Sequence, residues 1–121
     1  MFVKGYCHEE DPIHHRDIPL RGLLHLAILS IIKETPTYGS DICQKLKEKF
    51  GIDAPRPLVY TLLRRMERDG LVVSKWSIPG RGPARRVYYI TDQGLDYVVS
   101  VAKKLRKVLP IIESILRELS E

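Results

Sequence analysis

Cysteine is almost absent from this chain, with only Cys7 and Cys43 among 121 residues. Two are too few for a disulfide framework, so a reducing, cytoplasmic compartment is expected. A chain of this length with 44% hydrophobic residues forms one core without crosslinks or metal, burying about two thirds of its unfolded surface. Long apolar runs are missing too. The longest, 20–32, is interrupted by Arg21, Gly22, His25 and Ser30, and falls short of the roughly 20 residues a bilayer span requires. The N-terminus shows no basic, apolar, small-residue signal pattern, so no membrane partner is expected. No nucleophile stands beside a recognisable base and orienter, and no glycine-rich phosphate loop follows a strand. Gly80-Arg81-Gly82 reads as a turn, and neither an enzyme nor a cofactor is expected.

What the chain does have is positive charge in one place. The segment 56–86 carries eight basic residues, Arg56, Arg64, Arg65, Arg68, Lys75, Arg81, Arg85 and Arg86, against Glu67 and Asp69. Its balance of +6 exceeds the +5 of the whole chain, which leaves the remainder at −1. Composition alone does not choose between nucleic acid, an anionic membrane and an acidic protein, but this distribution over a helix and a hairpin suits contact with a polyanion.

Residues 1–19 mix charges, prolines and histidines with little apolar period, and read as an arm. Leu20, Leu23, Leu24, Ala27, Ile28, Ile31 and Ile32 repeat at helical spacing, which predicts a first helix over 20–33. Pro36 ends it, and Thr37 is placed as an N-cap for a second helix beginning near Tyr38. That helix has an apolar stripe of Tyr38, Ile42, Cys43, Leu46 and Phe50 and a stop at Gly51. A third helix, with Pro57 at its first position, runs to Asp69 and buries Val59, Leu62, Leu63 and Met66, leaving Tyr60, Thr61, Arg64, Arg65 and Arg68 outward or sideways. Residues 71–77 and 85–90 are rich in β-branched and aromatic residues and flank a loop of turn formers, which predicts a hairpin.

The last segment is the most regular. Leu95, Val98, Ala102, Leu105, Leu109, Ile112, Leu116 and Leu119 alternate gaps of three and four, the seam of a dimerising helix. Thr91 is its candidate N-cap, Gly94 weakens its first turn slightly, and Pro110 is expected to kink it. A second copy of the chain is the economical cover for such a stripe.

Several strings in order carry a family resemblance: Thr37-Tyr38-Gly39, the run Tyr60-Thr61-Leu62-Leu63-Arg64-Arg65-Met66-Glu67-Arg68-Asp69-Gly70-Leu71, and Arg85-Arg86-Val87-Tyr88-Tyr89-Ile90-Thr91 with Gly94. Over about 20–99 the chain resembles the PadR family of transcriptional regulators, in the smaller branch with a single C-terminal helix. Where that family commonly has small residues including a glycine, this chain has Pro55-Arg56-Pro57-Leu58, and Arg56 can supply contacts there. The resemblance implies a mainly α fold with a small β-hairpin wing: a winged helix-turn-helix over 20–90 and a dimerisation helix over 91–121. It also implies a homodimeric repressor that binds double-stranded DNA at a pseudo-palindromic operator and answers to a small-molecule effector.

On that frame the third helix enters the major groove, with Thr61, Arg64 and Arg65 near base edges and Tyr60 and Arg68 nearer phosphates. Tyr38, Arg56, Lys75, Arg81, Arg85 and Arg86 complete the DNA-binding candidates, the wing arginines holding the backbone or entering the minor groove. Trp76 is expected to show an exposed edge, while Tyr88 and Tyr89 are read mainly as packing, and His25 as a partly buried structural histidine. Two other readings stand beside this one. A winged helix can bind an acidic protein partner instead, and the arm's Cys7, His8, His14 and His15 could serve a metal or redox sensor, although their spacing matches no defined site.

Overall fold

The computed structural model describes residues 13–14, 22–78 and 80–120. Helix α1 spans Leu23–Glu34, α2 spans Gly39–Phe50, α3 spans Arg56–Arg68 and α4 spans Asp92–Leu119. Between them lie strands β1 (Ile13–His14), β2 (Thr37–Tyr38), β3 (Ile52–Asp53), β4 (Val72–Ser77) and β5 (Arg85–Ile90). The first helix therefore starts later than the apolar period suggests. Gly22, at φ 88°, takes a left-handed conformation that a side chain resists, and the helix begins behind it.

Apolar faces of α1, α2 and α3 meet in one core. Ile28, Leu29, Ile31 and Ile32 from α1, Ile42 and Leu46 from α2, and Val59, Leu62, Leu63 and Met66 from α3 are buried together with Val72 and Tyr88. Phe50 does not join them: the last residue of α2 is 43% exposed, and Ile52 and Ala54 of the following segment are buried instead.

The expected two-stranded hairpin is a three-stranded antiparallel sheet in the order β2-β5-β4. Thr37 lies in β2 opposite Tyr88, and Tyr38 lies opposite Val87. Thr37 is consequently not the N-cap of α2, a position held by Tyr38. The Thr37 hydroxyl is buried and donates to the Asp41 carboxylate at 2.7 Å, so it fastens the edge strand to the helix. Pro57 stands second in α3 rather than first, with Pro55 as N-cap and Arg56 as the first helical residue. A second, parallel pairing joins Ile13 to Ile52 and His14 to Asp53.

Alternation sorts the sheet into two faces. Val72, Ser74 and Trp76 on β4 and Ile90, Tyr88 and Arg86 on β5 share the face toward the helices, while Val73, Lys75 and Ser77 with Tyr89, Val87 and Arg85 share the other. Tyr88 is 4% exposed and seals the core, which fits its reading as packing.

Helix α4 leaves the sheet through a tight junction. Thr91 caps it as expected, accepting from the Gly94 N–H at 2.9 Å, and its hydroxyl points at the carbonyls of Gly70 and Leu71 at 2.7 and 3.0 Å. Gly94 is a requirement here rather than only a weakness. A Cβ at that position would sit 2.2 Å from the Leu71 carbonyl oxygen. The helix continues through Pro110 to Leu119. Leu95, Val98, Ala102, Leu105 and Ile112 are half-buried, whereas Leu109, Leu116 and Leu119 are exposed. Val108, Ile111 and Ile115, off the seam, are exposed as well and widen the apolar band.

Candidate nucleic-acid interface

Helix α3 is held at its C-terminal end and from one side. Gly70, at φ 83°, ends it in a left-handed turn, with the Leu71 N–H bonded to the Met66 carbonyl at 2.9 Å. From the side, the Glu67 carboxylate accepts from the Ser74 N–H at 3.1 Å and from the Ser74 hydroxyl at 2.9 and 3.0 Å. This bond ties α3 to β4 and occupies one of the two acids in the basic segment. Nothing in the sequence pairs Glu67 with Ser74, because the partner comes from a strand whose register is set by folding.

At about 100° per residue, Thr61, Arg64 and Arg68 project from the side of α3 opposite its buried stripe. All three are exposed. The Thr61 hydroxyl donates to the Pro57 carbonyl at 2.9 Å, leaving its oxygen to accept from a neighbour, and the Arg64 guanidinium lies 3.5 Å away. Arg68 pairs loosely with Asp69 at 3.6 Å, an exposed contact of little worth. Arg65 lies on the flank toward α1, where its charge acts on His25. Partial burial is the main cause holding the His25 pKa below 6.5, Arg65 adds to it, and Asp69 opposes it. Arg56 stands exposed at the start of α3, with its positive charge felt by Cys43, whose thiol pKa is raised chiefly by burial.

Tyr60 lies on the other flank, over the start of α2. A Cβ on Gly39 would fall 1.8 Å from a carbon of the Tyr60 ring, so the ring occupies the space a side chain would need. The Tyr38-Gly39 pair and the tyrosine of the third helix, two separate strings in the sequence, are thus one contact in the fold.

Between α3 and the hairpin runs a cleft of about 320 Å³, lined by Tyr38, Gly39, Ser40, Tyr60, Arg64, Trp76, Ala84, Arg85, Arg86 and Tyr88. No acidic residue is among these, and three arginines are. Tyr88 closes its inner end as a neutral phenol, its pKa raised mainly by burial. Two further contacts order the rim: Arg85 lies over the Tyr38 ring at 4.4 Å and Arg86 over the Trp76 ring at 5.4 Å. On the far face of the sheet Lys75 lies over Tyr89 at 5.5 Å. Trp76 is 64% exposed, as expected of it. Arg81 is exposed in the loop joining the strands, beside Gly82 at φ 86°.

The fold therefore brings Tyr38, Tyr60, Arg64, Arg85 and Arg86 into one cleft, extends α3 beyond it with Thr61 and Arg68, and leaves Lys75 and Arg81 on the wing. Arg56 and Arg65 stand apart, toward α2 and α1. Gly39, Ser40 and Ala84 were not among the sequence candidates. Gly39 was visible only as half of a recurring pair, and Ser40 and Ala84 carry no signal of their own. The sensor candidates Cys7, His8 and His15, and the side chain of His14, lie outside the described residues. Among the described residues no group of three metal-ligating side chains occurs, and no helix is long and apolar enough to cross a membrane.

Comparison with known proteins follows the same outline. A model of the transcriptional regulator PadR-like family matches residues 28–100. A transcriptional regulator from Thermoplasma acidophilum has a similar structure, with 30% identity and a TM-score of 0.72 over 79% of this chain and 92% of that one. A PadR family regulator from Eggerthella lenta is 30% identical, with a TM-score of 0.71 over 79% of this chain and 83% of its own. PadR of Bacillus subtilis, solved in complex with operator DNA, shares the fold at 24% identity and a TM-score of 0.62, over 66% of this chain and 46% of its own.

Proposed function

Since the chain belongs to the PadR-like family of transcriptional regulators, and is a regulator rather than an enzyme, we propose that it acts by binding double-stranded DNA through the α3–wing face. The observation that carries the reading is the presence of Arg64, Arg85 and Arg86 around one cleft that no carboxylate lines. Cations in such a place have no partner within the cleft to neutralise them, and a phosphate backbone would supply one. The α3 face then enters the major groove, where Arg64 and the Thr61 oxygen meet base edges, while Tyr60 and Arg68 meet the backbone. Arg56, exposed at the start of α3, is read as a further phosphate contact. The Bacillus subtilis relative of the same fold is bound to operator DNA, which supports DNA as the partner.

We further read the chain as a homodimer. The segment from α1 through β5 serves as its DNA-binding unit, and α4 carries an open band, from Leu105 through Leu109, Ile112, Leu116 and Leu119, that a second copy covers. Two α3 helices related by a two-fold axis read a pseudo-palindromic operator, and repression follows from occupying it. A small-molecule effector that changes the spacing of the two helices releases the DNA, because it favours one arrangement over the other.

Selection of bound sequences from a random duplex library at near-physiological salt tests the reading. An enriched inverted repeat is the expected result. Recovery of no motif by well-folded protein contradicts it and favours a winged helix that meets an acidic protein partner.

A further inference from the structure

Two of the wing's arginines are not loose side chains. Arg85 is exposed on β5, and the ring beneath its guanidinium belongs to Tyr38 of β2, the two-residue edge strand. Tyr38 pairs with Val87, so Arg85 reaches it diagonally, two residues along the same sheet face. Arg86 belongs to the opposite face of the sheet, where Trp76 stands directly across the ladder and lies under it. Among the described residues neither arginine forms an ion pair with a carboxylate, so these rings are the contacts that order them. Trp76 has no role in the core, since 64% of it is exposed. A bulky, exposed aromatic that does not pack inward still lies under a cation.

We propose that Tyr38 and Trp76 are positioning residues for DNA binding, their rings holding Arg85 and Arg86 ready on opposite faces of the wing. This rests on the DNA-binding reading above. An arginine guanidinium stacks on an aromatic face while its edge N–H groups stay free for phosphate oxygens. A side chain already held in the bound orientation loses less rotamer freedom on binding, so affinity rises with no added contact to DNA. The arrangement also accounts for the short strand β2, which carries the ring that holds Arg85.

A labelled mixed-sequence duplex is a sufficient probe, because backbone contacts do not depend on sequence. Tyr38→Leu and Trp76→Leu are each expected to weaken binding about two- to fivefold, the size of an exposed cation–π contact. Tyr38→Phe keeps the ring and is expected to recover most of the affinity that Tyr38→Leu loses. The decisive readout is a double-mutant cycle. Tyr38→Leu is expected to have no further effect once Arg85→Gln is present, and Trp76→Leu none once Arg86→Gln is present, while the crossed pairs add in full. If Tyr38→Phe weakens binding as much as Tyr38→Leu, the hydroxyl meets DNA directly and the proposal fails for Tyr38. Additive effects within each ring–arginine pair overturn it for both.

NMR of the free protein separates this proposal from the DNA reading. The side-chain signals of Arg85 and Arg86 are expected upfield under the ring currents, returning to ordinary positions in the Leu variants. Ordinary shifts in the parent protein overturn the proposal whatever the duplex does. Upfield shifts in a protein that ignores duplex leave the ring–arginine pairing standing and sink the DNA reading alone.

Discussion

Helices α3 and α4 carry the same kind of sequence, an apolar stripe at helical spacing with charge elsewhere, and they meet opposite fates. In α3 the stripe is finished within the chain: Val59 and Leu63 are fully buried, with Met66 at 1% and Leu62 at 5% exposure. In α4 only Gly94 is buried, while Leu109, Leu116 and Leu119 are 44–62% exposed. An amphipathic period states that a stripe needs a cover and is silent about where the cover comes from. In α3 it comes from α2 and the sheet. In the proposed dimer the cover of α4 comes from a second copy, and the polar face of α3 is then left for DNA.

Substitutions can break this comparison from either side. The largest effect is expected at Leu63→Ala, which opens a cavity in the shared core and should cost about 2–5 kcal/mol of unfolding free energy by denaturant titration. A loss below about 1 kcal/mol would show that this stripe is less closed than its burial indicates. Leu109→Glu places a charge on the open band. Thermal unfolding of the domain should change little, while sedimentation shows monomers and operator affinity drops on the order of 100-fold as the second recognition helix is lost. Retained dimers would mean that the band is covered some other way.

Smaller effects sharpen the division of labour on the DNA face. Arg64→Ala should cost about 1–3 kcal/mol at the operator and relax preference at one base position, as read from selected sequences. Arg85→Ala should weaken all duplexes alike and reduce the slope of log K against log salt by about one. The same loss on every sequence from both variants would remove base reading from α3.

The smallest effect concerns pH. His25 has a folded-state pKa below its unfolded value of 6.5, so the unfolded chain binds the proton more readily. Its contribution to stability is complete above pH 6.5 and is lost as the pH falls toward the folded pKa. Replacing His25 with Gln should flatten the fall in melting temperature over that window, and an unchanged fall assigns it to the carboxylates instead.

Much of the architecture is legible in the chain because periodicity reports which face of an element turns inward. The stripes of α1 and α3 are read that way, while strand β5 at 85–90 is read from its β-branched and aromatic residues and the Thr91 cap from its residue type. Strand β2 is not, since two residues cannot display a period, and Thr37 followed by a helix has the appearance of an N-cap. Phe50 looks like core because helix period continues to it, and only the later segment with Ile52 and Ala54 decides otherwise. In the candidate site the arginines stand out by charge, whereas their organisation does not. That Tyr60 lies on Gly39, that Ser74 holds Glu67 and that each wing arginine sits over a ring depends on strand register and helix packing. Gly39 and Gly94 are the sharpest cases: each is a glycine because something distant in sequence occupies the place of a side chain.

The most direct test is the mass of the complex between the protein and a duplex carrying one selected site, measured by sedimentation equilibrium for the parent chain and for Leu109→Glu. A DNA-binding dimer held by α4 predicts two chains on each duplex for the parent, with the variant binding weakly as single chains. One chain per duplex for the parent, at affinity that Leu109→Glu leaves unchanged, would contradict it.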